Sequence, residues 1–219
     1  VTITPTALDN ASFNYSAASF CVNAADPTPT ITGLAGGSFS STPGLSINAT
    51  SGAIDVSAST PGTYTVTYTT SGACPNSSNV SVTINALDNA SFNYGGTVIF
   101  CTSGPDPIAT ISGLAGGTFS SSAGLVINPS TGTIDVSAST PSTYAVTYTT
   151  SGACPNSSNL IILINSADNA SFNYSAASFC ANAADPTPTI TGLAGGTFSS
   201  TPGLSINAST GAIDVSAST

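Results

Sequence analysis

One stretch, LSINATSGAIDVSAST at residues 45–60, returns as LVINPSTGTIDVSAST at 125–140 and as LSINASTGAIDVSAST at 204–219. Each copy is a short alternating strand, a turn closing on glycine, and a second alternating strand. Leu45 and Ile47 point one way and Ser46 and Asn48 the other; Ile54 and Val56 rejoin the apolar side after the turn. A loop whose last residue needs positive φ favours glycine, which predicts that conformation at Gly52, Gly132 and Gly211. Three copies of one hairpin at a near-constant interval constrain the chain to a repeat architecture, in which the hairpin holds the same place in each unit.

The repeats divide the whole chain. Val1–Thr6 (VTITPT) aligns with Val80–Asn85 and reads as the last strand of a preceding repeat; repeat 1 runs over 7–85, repeat 2 over 86–165, and repeat 3 over 166–219, where it breaks off. Repeat 1 contains short segments that alternate apolar and polar residues, at 12–15, 19–22, 30–32, 37–41, 45–48, 53–57, 63–70 and 79–85. The segments at 30–32 and 37–41 are either two strands or one strand bent at Gly36-Gly37. Proline and glycine punctuate the intervals. Tyr64, Val66 and Tyr68 share one face and threonines the other, the pattern of a sheet with one dry and one wet side. About 80 residues with seven or eight short strands suit an all-β fold: tandem immunoglobulin-like antiparallel β-sandwiches. Their short linkers predict a stiff rod.

Composition removes most functional classes. The chain has no Lys, Arg or His and a formal charge of -9. Without cations it has nothing to neutralise phosphates, so nucleic acid is excluded as a partner, as is attraction to anionic lipid. No apolar run approaches the roughly 20 residues of a membrane helix, so no membrane insertion is expected here. General acid–base chemistry would have to rest on Asp, Tyr and Cys alone, and no serine lies in a nucleophile-elbow pattern; the chain does not read as an enzyme.

The cysteines follow the period. The intervals from Cys21 to Cys74 and from Cys101 to Cys154 are both 53 residues, and Cys180 would want a partner near 233. The spacing predicts bridges Cys21–Cys74 and Cys101–Cys154, each stabilising its domain by about 4 kcal/mol on a chain-entropy account. Cys74 lies past the Tyr64–Tyr68 strand, so such a bridge would pin one end of the sandwich. Disulfides point to an oxidising compartment and secretion; buried free cysteines are the other reading.

Nine aspartates recur three per repeat, at 9, 26 and 55, at 88, 106 and 135, and at 168, 185 and 214. Calcium ligation and turn chemistry are both open. The lack of a dense acidic cluster favours turns, so no cofactor is expected, with Ca2+ as the alternative. Repeat 2 differs from repeat 1 in carrying Leu160–Ile164 (LIILI) for Val80–Ile84 (VSVTI), and Val98 and Ile99 at an insertion. If the alternation holds, Ile161 and Leu163 face outward. Together with Val98 and Ile99 they mark a lateral contact with other rods or repeats, unless a neighbouring loop covers them.

The hairpin followed by TPGTYTVTYTTSG (60–72) resembles the Ig-like domains of bacterial surface proteins, and the longer unit at 31–78 resembles the tandem repeats of very large Bacteroidetes cell-surface adhesins, including the SprB-like gliding adhesins. The resemblance covers nearly all of the chain and is specific for the repeat type, not for a ligand. It implies an extracellular protein on a bacterial surface, exported by type IX secretion. The function it implies is a structural stalk or filament-forming region, whose partners are other copies of itself or adjacent repeats in a fibre. A module binding surface glycans or a protein through many weak sites is the alternative. Unlike antibody domains, the chain has no core Trp.

Overall fold

A computed structural model describes residues 3–219. Repeat 1 contains β1 (Phe13–Asn14), β2 (Ser19–Cys21), β3 (Thr30–Ile31), β4 (Ser38–Ser41), β5 (Ser46–Ile47), β6 (Ile54–Asp55), β7 (Gly62–Thr69) and β8 (Ser77–Asn85). Repeat 2 contains their counterparts: β9 (Phe92–Asn93), β10 (Ile99–Cys101), β11 (Thr110–Ile111), β12 (Thr118–Ser121), β13 (Val126–Ile127), β14 (Ile134–Asp135), β15 (Ser142–Thr149) and β16 (Ser157–Asn165). Repeat 3 contributes β17 (Phe172–Asn173), β18 (Thr189–Ile190), β19 (Ser205–Ile206) and β20 (Ile213–Asp214). The fold is all-β, in tandem sandwiches.

The sandwich follows from the alternation. The long pair β7–β8 sets Tyr64 opposite Val82 and Val66 opposite Val80, flanked by β4 on one edge and β2 on the other, in the order β2-β8-β7-β4. The inward side chains of this sheet meet the small pairs β1–β3 and β5–β6. Phe13, Phe39, Ile54, Val56, Val66, Tyr68 and Val82 form one buried cluster between the layers. Repeat 2 builds its own cluster from Phe119, Ile134, Val136, Val146, Tyr148 and Ile162. Burying a side chain of this size contributes about 1.5–3 kcal/mol, so the core is the main support of repeats 1 and 2.

The bent-strand alternative is resolved by sheet membership: β3 pairs with β1, while β4 pairs with β7. The ladder is antiparallel throughout except at the edge, where β2 runs parallel to β8 with Ser19 beside Thr83 and Cys21 beside Asn85. The chain crosses from the β1 layer to the β8 edge between residues 14 and 19, which leaves β2 running in the direction of β8. That edge decides where the first cysteine of each repeat lies.

The hairpin turn behaves as expected. Gly52, Gly132 and Gly211 have φ of 72°, 68° and 72°. The Asn48 side-chain oxygen accepts the amides of Thr50 and Ser51, both at 2.9 Å. Tyr15 donates its hydroxyl to the Gly52 carbonyl at 2.6 Å. The glycine turn is thus packed into the domain and pinned from behind by a buried tyrosine.

The two ends of the chain differ from the complete repeats. Of the six residues read as a preceding strand, Val1 and Thr2 lie outside the described residues, and Ile3–Thr6 form no strand. A final strand is defined by its β7-type partner, and these residues have none beside them. Repeat 3 has its β17–β18 and β19–β20 pairs, but the sequence stops before counterparts of β7 and β8. Its apolar face is correspondingly open: Phe172 is 48% exposed where its counterpart Phe13 is 7% exposed.

Candidate functional site

The junction between repeats 1 and 2 brings together the groups that the sequence marked separately. Cys154 stands in the loop between β15 and β16. Asp88 donates its amide N–H to the Cys154 carbonyl at 2.9 Å. Thr150 donates its hydroxyl to the Asp88 carboxylate at 2.9 Å, and the Asn156 side-chain amide donates to the Asp88 carbonyl at 3.1 Å. The loop is closed on itself by the Asn156 amide donating to the Thr150 hydroxyl oxygen at 2.9 Å. A Cβ at Gly152 would stand 2.5 Å from the Asp88 carboxylate, so only glycine admits this approach. Repeat 1 repeats the arrangement with Asp9, Thr70, Cys74 and Asn76. A loop bound to the first aspartate of its own repeat therefore carries the second cysteine at the N-terminal end of every complete sandwich.

The first cysteine is at the other end. Cys21 terminates β2 beside Asn85, the last residue of β8, and the next residue, Val22, donates its amide to the Asn85 carbonyl at 3.0 Å. From there Cys21 meets the following repeat: it is bonded to Cys154, with Cα atoms 5.6 Å apart and a sequence separation of 133. This corrects the expected pairs Cys21–Cys74 and Cys101–Cys154; Cys74, Cys101 and Cys180 are free thiols. The reason is length. Cys21 and Cys74 sit at opposite ends of β8, whose nine residues span about 30 Å at the usual strand rise, whereas a disulfide requires Cα atoms within about 7 Å. The bridge pins one sandwich to the next. With repeat 1 stacked over it Cys154 is 2% exposed, while Cys74 is half-buried.

Six of the nine aspartates hold the hairpins and the segments packed against them. Asp26, Asp106 and Asp185 accept the amides of Val56, Val136 and Val215 at 3.0, 3.0 and 3.1 Å. Asp55 accepts the Ala58 amide at 2.9 Å and the Ser57 hydroxyl at 2.8 Å, which hold its carboxyl below the ordinary value; Asp135 is held down likewise by Ala138 and Ser137, and Asp214 by Ser216 and Ala217. Among the described residues no group of three or more His, Cys, Asp or Glu stands together as a metal site would require.

The four apolar residues singled out in repeat 2 are brought to one place. β10 lies parallel to β16 with Ile99 beside Leu163, and the Leu163 amide donates to the Val98 carbonyl at 2.8 Å. Ile161 lies two residues along β16 on the same outer face; it and Ile99 are each 57% exposed, and Leu163 is half-buried between them. In repeat 1 the same positions hold Ser19, Thr83 and Ser81. No described loop lies over Ile99 and Ile161. The aromatic rings of repeats 1 and 2 are buried or half-buried, so neither repeat offers an exposed ring on which a sugar could stack.

No family model matches the chain, and no curated protein matches it. Solved structures resemble it at low identity. One is mouse cadherin-23 EC22-24, at 12% identity over 93% of this chain and 88% of that one, with a TM-score of 0.34. Human CDH23 EC21-23 matches at 14% over 89% and 85%, with a TM-score of 0.33. Extracellular domains 3-5 of Drosophila OTK match at 12% over 70% and 62%, with a TM-score of 0.38.

Proposed function

We propose that this chain is a structural segment, a stalk or filament-forming region, of a secreted adhesin on a bacterial surface. The observation that carries the reading is the Cys21–Cys154 bridge across the junction. A sulfur link between successive sandwiches gives the array continuity under tension, and has no evident use in a free-standing binding domain or an enzyme. The bridge also favours an oxidising, extracellular location. A surface without Lys or Arg gives trypsin-like proteases no cleavage site. The resemblance of the 31–78 unit to repeats of large Bacteroidetes adhesins, and with it export by type IX secretion, belongs to the same reading. Self-association in a fibre would use the outer face at Ile99, Ile161 and Leu163.

Electron micrographs of the native surface material test this. A beaded thread with one bead per repeat, kinking at the junctions after reduction, is the expected result. Compact, separate particles, or threads whose junctions are indifferent to reductant, would overturn it.

A further inference from the structure

Cys101 holds towards repeat 3 the position that Cys21 holds towards repeat 2. It pairs in parallel register with Asn165 as Cys21 does with Asn85. The residue after it, Thr102, donates its amide to the Asn165 carbonyl at 2.9 Å, as Val22 does to Asn85 at 3.0 Å. The Thr102 hydroxyl oxygen also accepts the Ala167 amide at 3.0 Å, fixing the start of repeat 3 against this edge. Cys101 is exposed. Across the junction Asp168 stands where Asp9 and Asp88 receive their cysteine-bearing loops, and it is exposed where they are half-buried beneath them. The apolar face next to it, with Phe172, Ile190, Leu193 and Phe198, lines an open cavity where a β7–β8 pair would lie.

We propose that the Cys21–Cys154 bridge is one rung of a ladder running through arrays of this repeat. The β2-end cysteine of every repeat is joined to the loop cysteine of the next. Cys101 is the forward half of a second rung, suited to the cysteine of a loop like that at Thr150–Asn156 wherever repeat 3 is completed in an array. Cys180 is the forward half of the third rung. Cys74, beside Asp9, is the receiving half for a repeat placed before repeat 1. All five cysteines then belong to one scheme, with none left as an odd thiol.

Formation of each rung removes two electrons and two protons from a pair of thiols. A disulfide oxidant takes them up by exchange through a mixed disulfide and leaves as two thiols. Because Cys101 lies within the segment that Cys21–Cys154 closes, each rung begins before the previous one ends, and successive closed segments interlock. Tension would then run through sulfur at every junction. The inference stands on the geometry of the junctions, whether or not the array serves as a stalk.

The test appends residues 61–85 of this chain after Thr219, supplying the missing strand pair with its loop cysteine, and oxidises the full extended chain in a glutathione buffer. Thiol blocking followed by peptide mass mapping reads the result. The 219-residue chain should show three blocked thiols, at Cys74, Cys101 and Cys180. The extended chain should show two, at Cys74 and Cys180, with the appended cysteine bonded to Cys101. Cys101→Ser should leave the appended cysteine free, and Cys180→Ser should leave its bond intact. An appended cysteine bonded to Cys180, or free while near-ultraviolet circular dichroism shows the third sandwich folded, would overturn the ladder. Should the appended strands fail to fold, mapping the same cysteines in the native repeat array decides the question: the ladder predicts only bonds between consecutive repeats.

Discussion

Asp88 donates its amide to the carbonyl of Cys154 at 2.9 Å, and so the first aspartate of repeat 2 presents that cysteine to repeat 1. The Thr150 hydroxyl and the Asn156 amide fasten the same loop to the same aspartate. The junction is therefore built from a turn residue, a loop and an edge strand belonging to two different domains.

Stretching the chain by its ends should show the bridge directly. Oxidised, the segment closed by Cys21 and Cys154, a sequence separation of 133, is shielded from force; reduced, it should add about 460 Å of contour at roughly 3.5 Å per residue. Bridges within repeats would instead hide two separate, shorter segments. On a chain-entropy account, closing a segment of this size stabilises the folded pair by about 5 kcal/mol, so Cys154→Ser should lower the unfolding midpoint substantially.

Gly132→Ala should destabilise repeat 2. The position has φ of 68°, and a Cβ there would stand 2.8 Å from the Phe119 ring and 2.7 Å from the Ala109 Cβ. Left-handed strain and overpacking each cost about 1–3 kcal/mol, and urea denaturation should show a loss in that range.

Stability should fall at both ends of the pH scale. The carboxyls of Asp55, Asp135 and Asp214 are held below their ordinary value of 3.8 by turn hydrogen bonds. Their contribution is present above that value and disappears as pH drops through the folded ones. Ser57→Ala and Ser137→Ala should flatten this acid limb. Burial pushes the hydroxyls of Tyr15 and Tyr94 up from 10.0 to about 12. Their contribution is complete below pH 10 and is lost as pH rises towards 12. Thermal melts across pH 2–12 measure both limbs.

Ile161→Ser with Leu163→Ser makes the outer face of β16 polar, as it is in β8, where Ser81 and Thr83 stand. Sedimentation analysis should find self-association weakened while the unfolding midpoint moves little, because the substituted face is outside the core. Unchanged association would remove this face from the fibre contact.

Chelation of divalent ions should leave the melting temperature unchanged. The aspartates at the 1–2 junction and in the hairpins are satisfied by amides and hydroxyls. A fall in melting temperature on adding chelator, reversed by Ca2+, would restore the metal reading.

The sequence by itself determined the repeat, the core and most of the strands. Alternation at Tyr64–Tyr68 and Val80–Ile84 separates a dry face from a wet one, and the backbone at Gly52 needs a residue without a Cβ; both are local properties that a linear pattern carries. It also located Ile161 and Leu163 on the outside, because side-chain direction in a strand has a period of two. The disulfide partner was a different matter. In a chain of near-identical units, a partner 53 residues on and one a further 80-residue repeat away, 133 residues on, fit the period equally well. Only the tertiary structure decided between them, by laying β2 parallel to β8 so that Cys21 reaches the far end of its own sandwich. From there its own Cys74 is a strand length away, and the loop cysteine of the next repeat is in contact.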